Sequence, residues 1–143
     1  MRDLQDQLER ICRSYDVASL YAFGSRAEEI AARVAGRPPI PGPVDSDLDI
    51  AVQPAPEGLR DVKDRVRLTQ ELEDLFVVSR VDLIILPLAS PFLAADAVRG
   101  ELLFCEEEDQ QAREELYILR RAADLAPFQR DRLNGLLSGE YRR

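Results

Sequence analysis

The segment VDSDLDIAV (44–52) sets two carboxylates, Asp47 and Asp49, two residues apart in a run that otherwise reads as a strand. Residues two apart on a strand share a face, so these carboxylates project together, roughly 7 Å apart at Cα, while Leu48 and Ile50 turn the opposite way into core. Asp82 adds a third in RVDLIIL (80–86), where Val81, Leu83, Ile84, Ile85 and Leu86 are all apolar. A charge inside such a run is costly unless something neutralises it. If the two strands are neighbours, the three aspartates converge into an oxygen-only cluster suited to Mg²⁺, which favours carboxylates together with substrate phosphates. Upstream, in YAFGSRAEEI (21–30), an apolar run stops at Gly24-Ser25 and gives way to helix-favouring residues. A glycine that permits close approach, followed by a hydroxyl where a helix begins, supplies N–H donors and a positive dipole end for a polyphosphate. The anion half and the metal half together describe a nucleotide with its Mg²⁺. Two metal ions would clamp an in-line displacement at phosphorus, and Asp82 would also be placed to accept a proton.

Each piece has a plainer reading. Gly-Ser can be a turn with a cap, DSDLD an acidic turn, and Asp82 the ion-pair partner of Arg26 or Arg80. Their order is more telling than any one of them: strand, Gly-Ser, helix, strand-borne D-x-D, then an aspartate in a later apolar strand.

Composition narrows the chemistry further. The 143-residue chain contains no histidine, which removes Ser-His and Cys-His nucleophilic sites, His-ligated zinc and imidazole acid–base work. Two cysteines, Cys12 and Cys105, are too few and too differently placed for a disulfide framework or a zinc site, and read as small buried hydrophobes. A net charge of −8 argues against tracking along nucleic acid, so no direct nucleic-acid binding is expected. The charged MRDLQDQLER start lacks an apolar signal region, and no stretch approaches the length of a membrane span, so a cytoplasmic, soluble chain is expected.

The elements that must position the aspartates follow from periodicity. Leu4, Leu8, Ile11 and Cys12 predict an amphipathic opening helix over 3–14, and ASLYAF (18–23) a buried strand. Ser25 is expected to cap the next helix, with Glu28 at capping-box spacing. GRPPIPGPVDS, with four prolines and two glycines in eleven residues, must be loop. DLDIAV (47–52) and RVDLIIL are strands, joined through a helix of about five turns whose apolar stripe is Leu59, Val62, Val66, Thr69, Leu72 and Phe76. Ser90 caps a short helix starting at Pro91, ELLFC reads as an edge strand, and the chain ends in helix, broken at Pro127 and resumed towards Leu137. The alternation of helices and strands gives a small α/β (α+β) domain, a mixed sheet flanked by helices, with a C-terminal helical tail.

FGSRA, SDLDIAV and VDLIIL, in that order, resemble the polymerase-β-like nucleotidyltransferase superfamily, in particular its minimal nucleotidyltransferases of the MntA type, antitoxin partners of HEPN-domain toxins. The resemblance spans residues 15 to 125. It implies the polymerase-β-like nucleotidyltransferase fold, ATP as co-substrate with Mg²⁺ in a two-metal site, and transfer of AMP to a tyrosine hydroxyl of a HEPN ribonuclease toxin in a hetero-oligomer. Carried over by position, Gly24 and Ser25 hold the triphosphate, Arg26 touches phosphate, Asp47 and Asp49 hold the metals, and Asp82 is the third catalytic and metal-binding carboxylate. The sequence departs from the pattern in two places: GSRAEE lacks the second glycine, and the path from Ser25 to Asp47 is lengthened by a proline-rich insertion over 31–44. The insertion reads as a tolerated surface loop or as a lid or partner-binding loop. With Gly24, Ser25 and all three aspartates present, an active enzyme is expected.

The division is into a nucleotidyltransferase core, 1–106, and a C-terminal helical extension, 107–143. Leu116, Leu119, Ala123 and Leu125 form one stripe of that extension, which packs on its own core or on a partner. Two other readings stay open: a nucleotidyltransferase acting on a small molecule such as an aminoglycoside, and a non-catalytic antitoxin that neutralises its partner by binding alone.

Overall fold

A computed structural model describes the backbone of residues 3–42 and 46–138 and the side chains as far as residue 128. Residues 43–45, which include the end of the proline-rich insertion, and the last residues of the tail, 139–143, lie outside the described residues. The elements run α1 (Leu4–Ser14), β1 (Val17–Phe23), a 3₁₀ turn (Gly24–Arg26), α2 (Ala27–Val34), β2 (Leu48–Pro54), α3 (Val62–Phe76), β3 (Val81–Ile85), a second 3₁₀ turn (Leu86–Leu88), α4 (Pro91–Val98), β4 (Glu101–Cys105) and α5 (Glu108–Ser138).

The four strands form one mixed sheet in the order β3-β2-β1-β4. β1 pairs antiparallel with both β2 and β4, and β2 pairs parallel with β3. ELLFC is an edge strand, as expected. β3 is the other edge despite its apolar composition: Val81 is buried but Asp82 through Ile85 are only partly covered.

Strand alternation divides the apolar residues between two cores. Leu20 and Ala22 of β1 and Leu48, Ile50 and Val52 of β2 face α1, α2 and α3, packing with Leu8, Cys12, Ile30, Leu68, Leu72 and Phe76. Tyr21 and Ala51 face the other way and pack with Leu86, Ala94, Ala97 and Val98, with Ile118 and Leu119 of α5 against them. Cys12 is fully buried, and the low-dielectric surroundings push its thiol strongly upward. Cys105 is only half-buried.

Three local expectations are corrected by packing. α3 begins at Val62, capped by the Asp61 side chain on the Lys63 N–H (2.9 Å), because Leu59 adopts left-handed φ (55°) in the turn ahead of it. Its buried stripe is therefore Leu68, Leu72 and Phe76, while Val62 and Val66 are exposed. Pro127 lies within a continuous α5 rather than ending it. On α5 the inward positions are Ile118, Leu119 and the buried Ala122, whereas Leu116 and Ala123 are exposed. Polar contacts also anchor the helix: Gln111 Nε2 donates to the Tyr21 hydroxyl at 2.6 Å and to Glu115 Oε2 at 2.6 Å.

Candidate active site

The turn after β1 and the start of β2 meet at one end of the sheet. Phe23, the last residue of β1, stands opposite Asp49 in the antiparallel ladder, so Gly24 is carried directly onto the Asp49 side chain. Gly24 has φ +76°, in the left-handed region that favours glycine, and a Cβ there would collide with Asp49 Oδ2. The glycine is thus required twice, by backbone conformation and by contact with a carboxylate.

On the other side of β2, Asp49 is the register partner of Asp82 on the parallel strand β3. Both share the sheet face of Ala51 and Ile84, away from the core of Leu48 and Ile50. Asp47 lies just ahead of β2. The structure therefore brings Gly24, Asp49 and Asp82 to one end of one face, with Asp47 outside the strand rather than converging with the other two aspartates.

The electrostatics of the three carboxylates differ. Asp49 is partly buried and has no hydrogen-bond or ion-pair partner among the described residues. Burial first, then the charges of Asp82 and Asp47, raise its carboxyl above the ordinary aspartate range. Asp82 and Asp47 are about half exposed and share one cation: Arg80 Nε lies 3.3 Å from Asp82 Oδ1 and 3.7 Å from Asp47 Oδ2. Of the two arginines considered for Asp82, the structure selects Arg80. Among the described residues no group of three or more Asp, Glu or Cys is drawn together closely enough to hold an ion as placed.

Arg26 occupies a different position from the phosphate contact expected of it. It is almost buried, and its guanidinium is committed on two sides: Nε and Nη2 donate to Glu29 Oε1 and Oε2 (3.1 and 2.8 Å), and Nη1 donates to the Ser46 carbonyl at 3.2 Å. The bidentate bonds hold Glu29 below the usual carboxylate range. Arg26 therefore braces the Gly-Ser turn against the residue immediately before Asp47. Glu29 was not singled out from sequence as a functional residue, although its spacing of three from Arg26 on a helix is an ion-pair signal. Ser25 is exposed and lies inside the 3₁₀ turn, so Arg26 rather than Ser25 is the N-cap residue of α2, and no side chain caps that end. The expected capping box with Glu28 is not formed.

On the same face as the aspartates, a cavity of about 510 Å³ opens between the second 3₁₀ turn, α4 and α5, lined by Gln53, Leu86, Ala94, Arg113, Tyr117 and Arg121.

A mixed sheet that seats a Gly-Ser turn on one strand-borne aspartate and sets a second aspartate in register beside it has the architecture of a nucleotidyltransferase. Residues 6–109 match the family described as Polymerase beta, Nucleotidyltransferase. The chain belongs to that family and is a nucleotidyltransferase. Solved structures agree on the fold. A toxin–antitoxin complex with AMP-PNP aligns with TM-score 0.66 at 21% identity, over 93% of this chain and 98% of that one. The MntA-HepT toxin–antitoxin aligns with TM-score 0.66 at 19% identity, over 94% and 97%. The tri-AMPylated Shewanella oneidensis HEPN toxin in complex with MNT antitoxin does so with TM-score 0.66 at 19% identity, over 94% and 96%. No curated protein matches the sequence. No helix among the described residues is long and apolar enough to cross a membrane.

Proposed function

We propose that this protein is an Mg²⁺-dependent adenylyltransferase antitoxin that moves AMP from ATP to a tyrosine hydroxyl of a cognate HEPN ribonuclease toxin and so neutralises it. The observation that carries the reading is the seating of Gly24 on Asp49 with Asp82 in register beside it. The neighbours support it: one is a toxin–antitoxin complex with AMP-PNP, another a tri-AMPylated HEPN toxin with its MNT antitoxin.

The donor set suits Mg²⁺, because all three candidate ligands are hard carboxylate oxygens. Asp49 in particular carries a partly buried charge beside two like charges, an electrostatic load that a divalent cation relieves. Asp47, Asp49 and Asp82 would hold the metal, which when bound neutralises charge on the phosphates and on the departing pyrophosphate. Exposed Gly24 and Ser25 offer backbone N–H groups and a hydroxyl to the triphosphate. Asp82, at the more open edge strand, accepts the tyrosine proton as the phenolic oxygen bonds to the α-phosphorus and the bond to pyrophosphate breaks. Arg26 acts through position, fixing the Ser46–Asp47 segment against the Gly-Ser turn.

The core at 1–106 would carry the chemistry, and the extension at 107–143 would pack on the core and offer its outer side to the toxin. The acidic chain suits a ribonuclease partner, which is basic around its RNA site. Neutralisation by binding alone is the second reading, favoured by Leu116, Tyr117 and Phe128 exposed on α5.

One experiment separates the two. The protein is incubated with ATP, Mg²⁺ and a co-encoded HEPN partner, and the partner is weighed by intact mass spectrometry, with Asp47→Asn/Asp49→Asn in parallel. AMP-sized additions that vanish in the double variant are expected; an unmodified partner in a tight complex favours binding alone.

A further inference from the structure

We infer that Arg80 is a resident counter-ion of the aspartate cluster: it holds Asp47 and Asp82 in the metal-free protein, competes with a divalent cation for them, and thereby sets the metal concentration at which the site loads. The inference rests on the metal-binding reading above and adds to it a residue of this chain that opposes loading.

The side-chain pairing carries the inference. Two of the three candidate ligands are paired with one guanidinium, at 3.3 and 3.7 Å, rather than with each other's common centre. Correspondingly, no set of three ligating side chains among the described residues is gathered around a point. The backbone makes the pairing a built feature. Leu48 N–H donates to the Arg80 carbonyl at 3.0 Å, so the residue before β3 is locked level with the residue that follows Asp47. Arg80 and Asp82, two apart at a strand start, then fall on one face.

The energetics suit a placeholder rather than a permanent bridge. The Arg80 side chain is 68% exposed and those of Asp47 and Asp82 are 43% and 44% exposed, so the pairing is screened and weak. It offsets repulsion between Asp47 and Asp82, yet a doubly charged ion with direct oxygen ligation would displace it.

The test is Mn²⁺ binding to the full chain without nucleotide, followed by electron paramagnetic resonance of the free ion. Arg80→Gln should bind Mn²⁺ about three- to tenfold more tightly than the parent, from removal of one exposed, screened charge. Arg80→Lys, which keeps the charge, should stay near the parent, and Asp47→Asn/Asp49→Asn should not bind. Thermal unfolding checks that the variants are folded, and Arg80→Met serves as a second neutral variant. Equal or weaker Mn²⁺ binding by the neutral variants, still abolished in the double aspartate variant, overturns the role of Arg80 alone. Absence of binding in parent and Arg80→Gln alike overturns the metal reading and this inference together.

Discussion

On one face of the sheet, Leu20, Ala22, Leu48, Ile50 and Val52 are sealed beneath α1, α2 and α3; on the other, Tyr21 and Ala51 lie under α4 and α5 while Asp49 is only partly covered and Asp82 stays half exposed. The same strands build both faces, and a step of one residue along β2 passes from a fully buried Leu48 to a candidate catalytic Asp49. A closed face tolerates only apolar side chains of the right volume. The other face, covered at one end, leaves room for charge, and the polar groups of the site gather where the cover stops. Stability and chemistry are thereby separated by the pleat rather than by distance along the chain.

That separation predicts distinct outcomes for changes on either side of the sheet. The largest stability effect belongs to the closed face: Leu72→Ala empties a fully buried position and should cost about 2–5 kcal/mol in urea unfolding. In protein that remains folded, nucleotidyl transfer should be little changed; a specific loss of transfer at undiminished stability would show that the closed face also shapes the site.

An intermediate effect is expected at the brace between the faces. Glu29→Ala leaves the Arg26 guanidinium nearly buried without its bidentate partner and should cost about 1–3 kcal/mol. The sign of its pH dependence follows from the depressed carboxyl of Glu29. A depressed acid stabilises the fold above its ordinary value of 4.5 and loses that contribution as pH falls through the folded-state value. The parent should therefore lose stability on acidification below about pH 4.5 more steeply than Glu29→Ala. Parallel acid limbs in chemical denaturation at several pH values would remove the brace from the account.

The smallest effect on stability, and the most localised on function, is expected for Gly24→Ala. A side chain at φ +76° costs about 1–2 kcal/mol, and its Cβ displaces the Asp49 carboxylate. Transfer should fall further than the stability loss alone accounts for, measured as initial rate against unfolding free energy on one preparation. A drop in stability with an unaltered rate would show that the contact between turn and carboxylate is incidental.

How much of this was legible in the residues depends on whether a feature is local. The strands and most helices were readable because their apolar periods match the elements they form. Ser90, for example, caps α4 through the Leu93 N–H as its spacing before Pro91 implied. The buried stripe on α3 is not fixed by periodicity, which offers several near-equivalent faces: Val62, Val66 and Thr69 fit the period as well as Leu68 does, and only the direction of packing chooses. Pro127 was expected to break a helix that continues through it. Arg26 and Arg80 were interchangeable partners for Asp82 in the sequence; burial against Glu29 and Ser46 removed the first and the pairing of Leu48 with Arg80 placed the second.

The residues alone determined the chemical vocabulary: no imidazole, a glycine and a hydroxyl where a strand turns into helix, two aspartates with strand period and a third in a later strand. Residue type and local spacing suffice for that, since pleat and turn geometry are set by neighbours in the chain. Tertiary structure decided what those groups face. Parallel pairing of β2 with β3 set Asp49 beside Asp82, antiparallel pairing of β1 with β2 seated Gly24 on Asp49, and Arg80 rather than Arg26 became the cation among the carboxylates. Strand order and register are properties of the whole sheet, fixed by which apolar faces are buried together, and no single segment contains them.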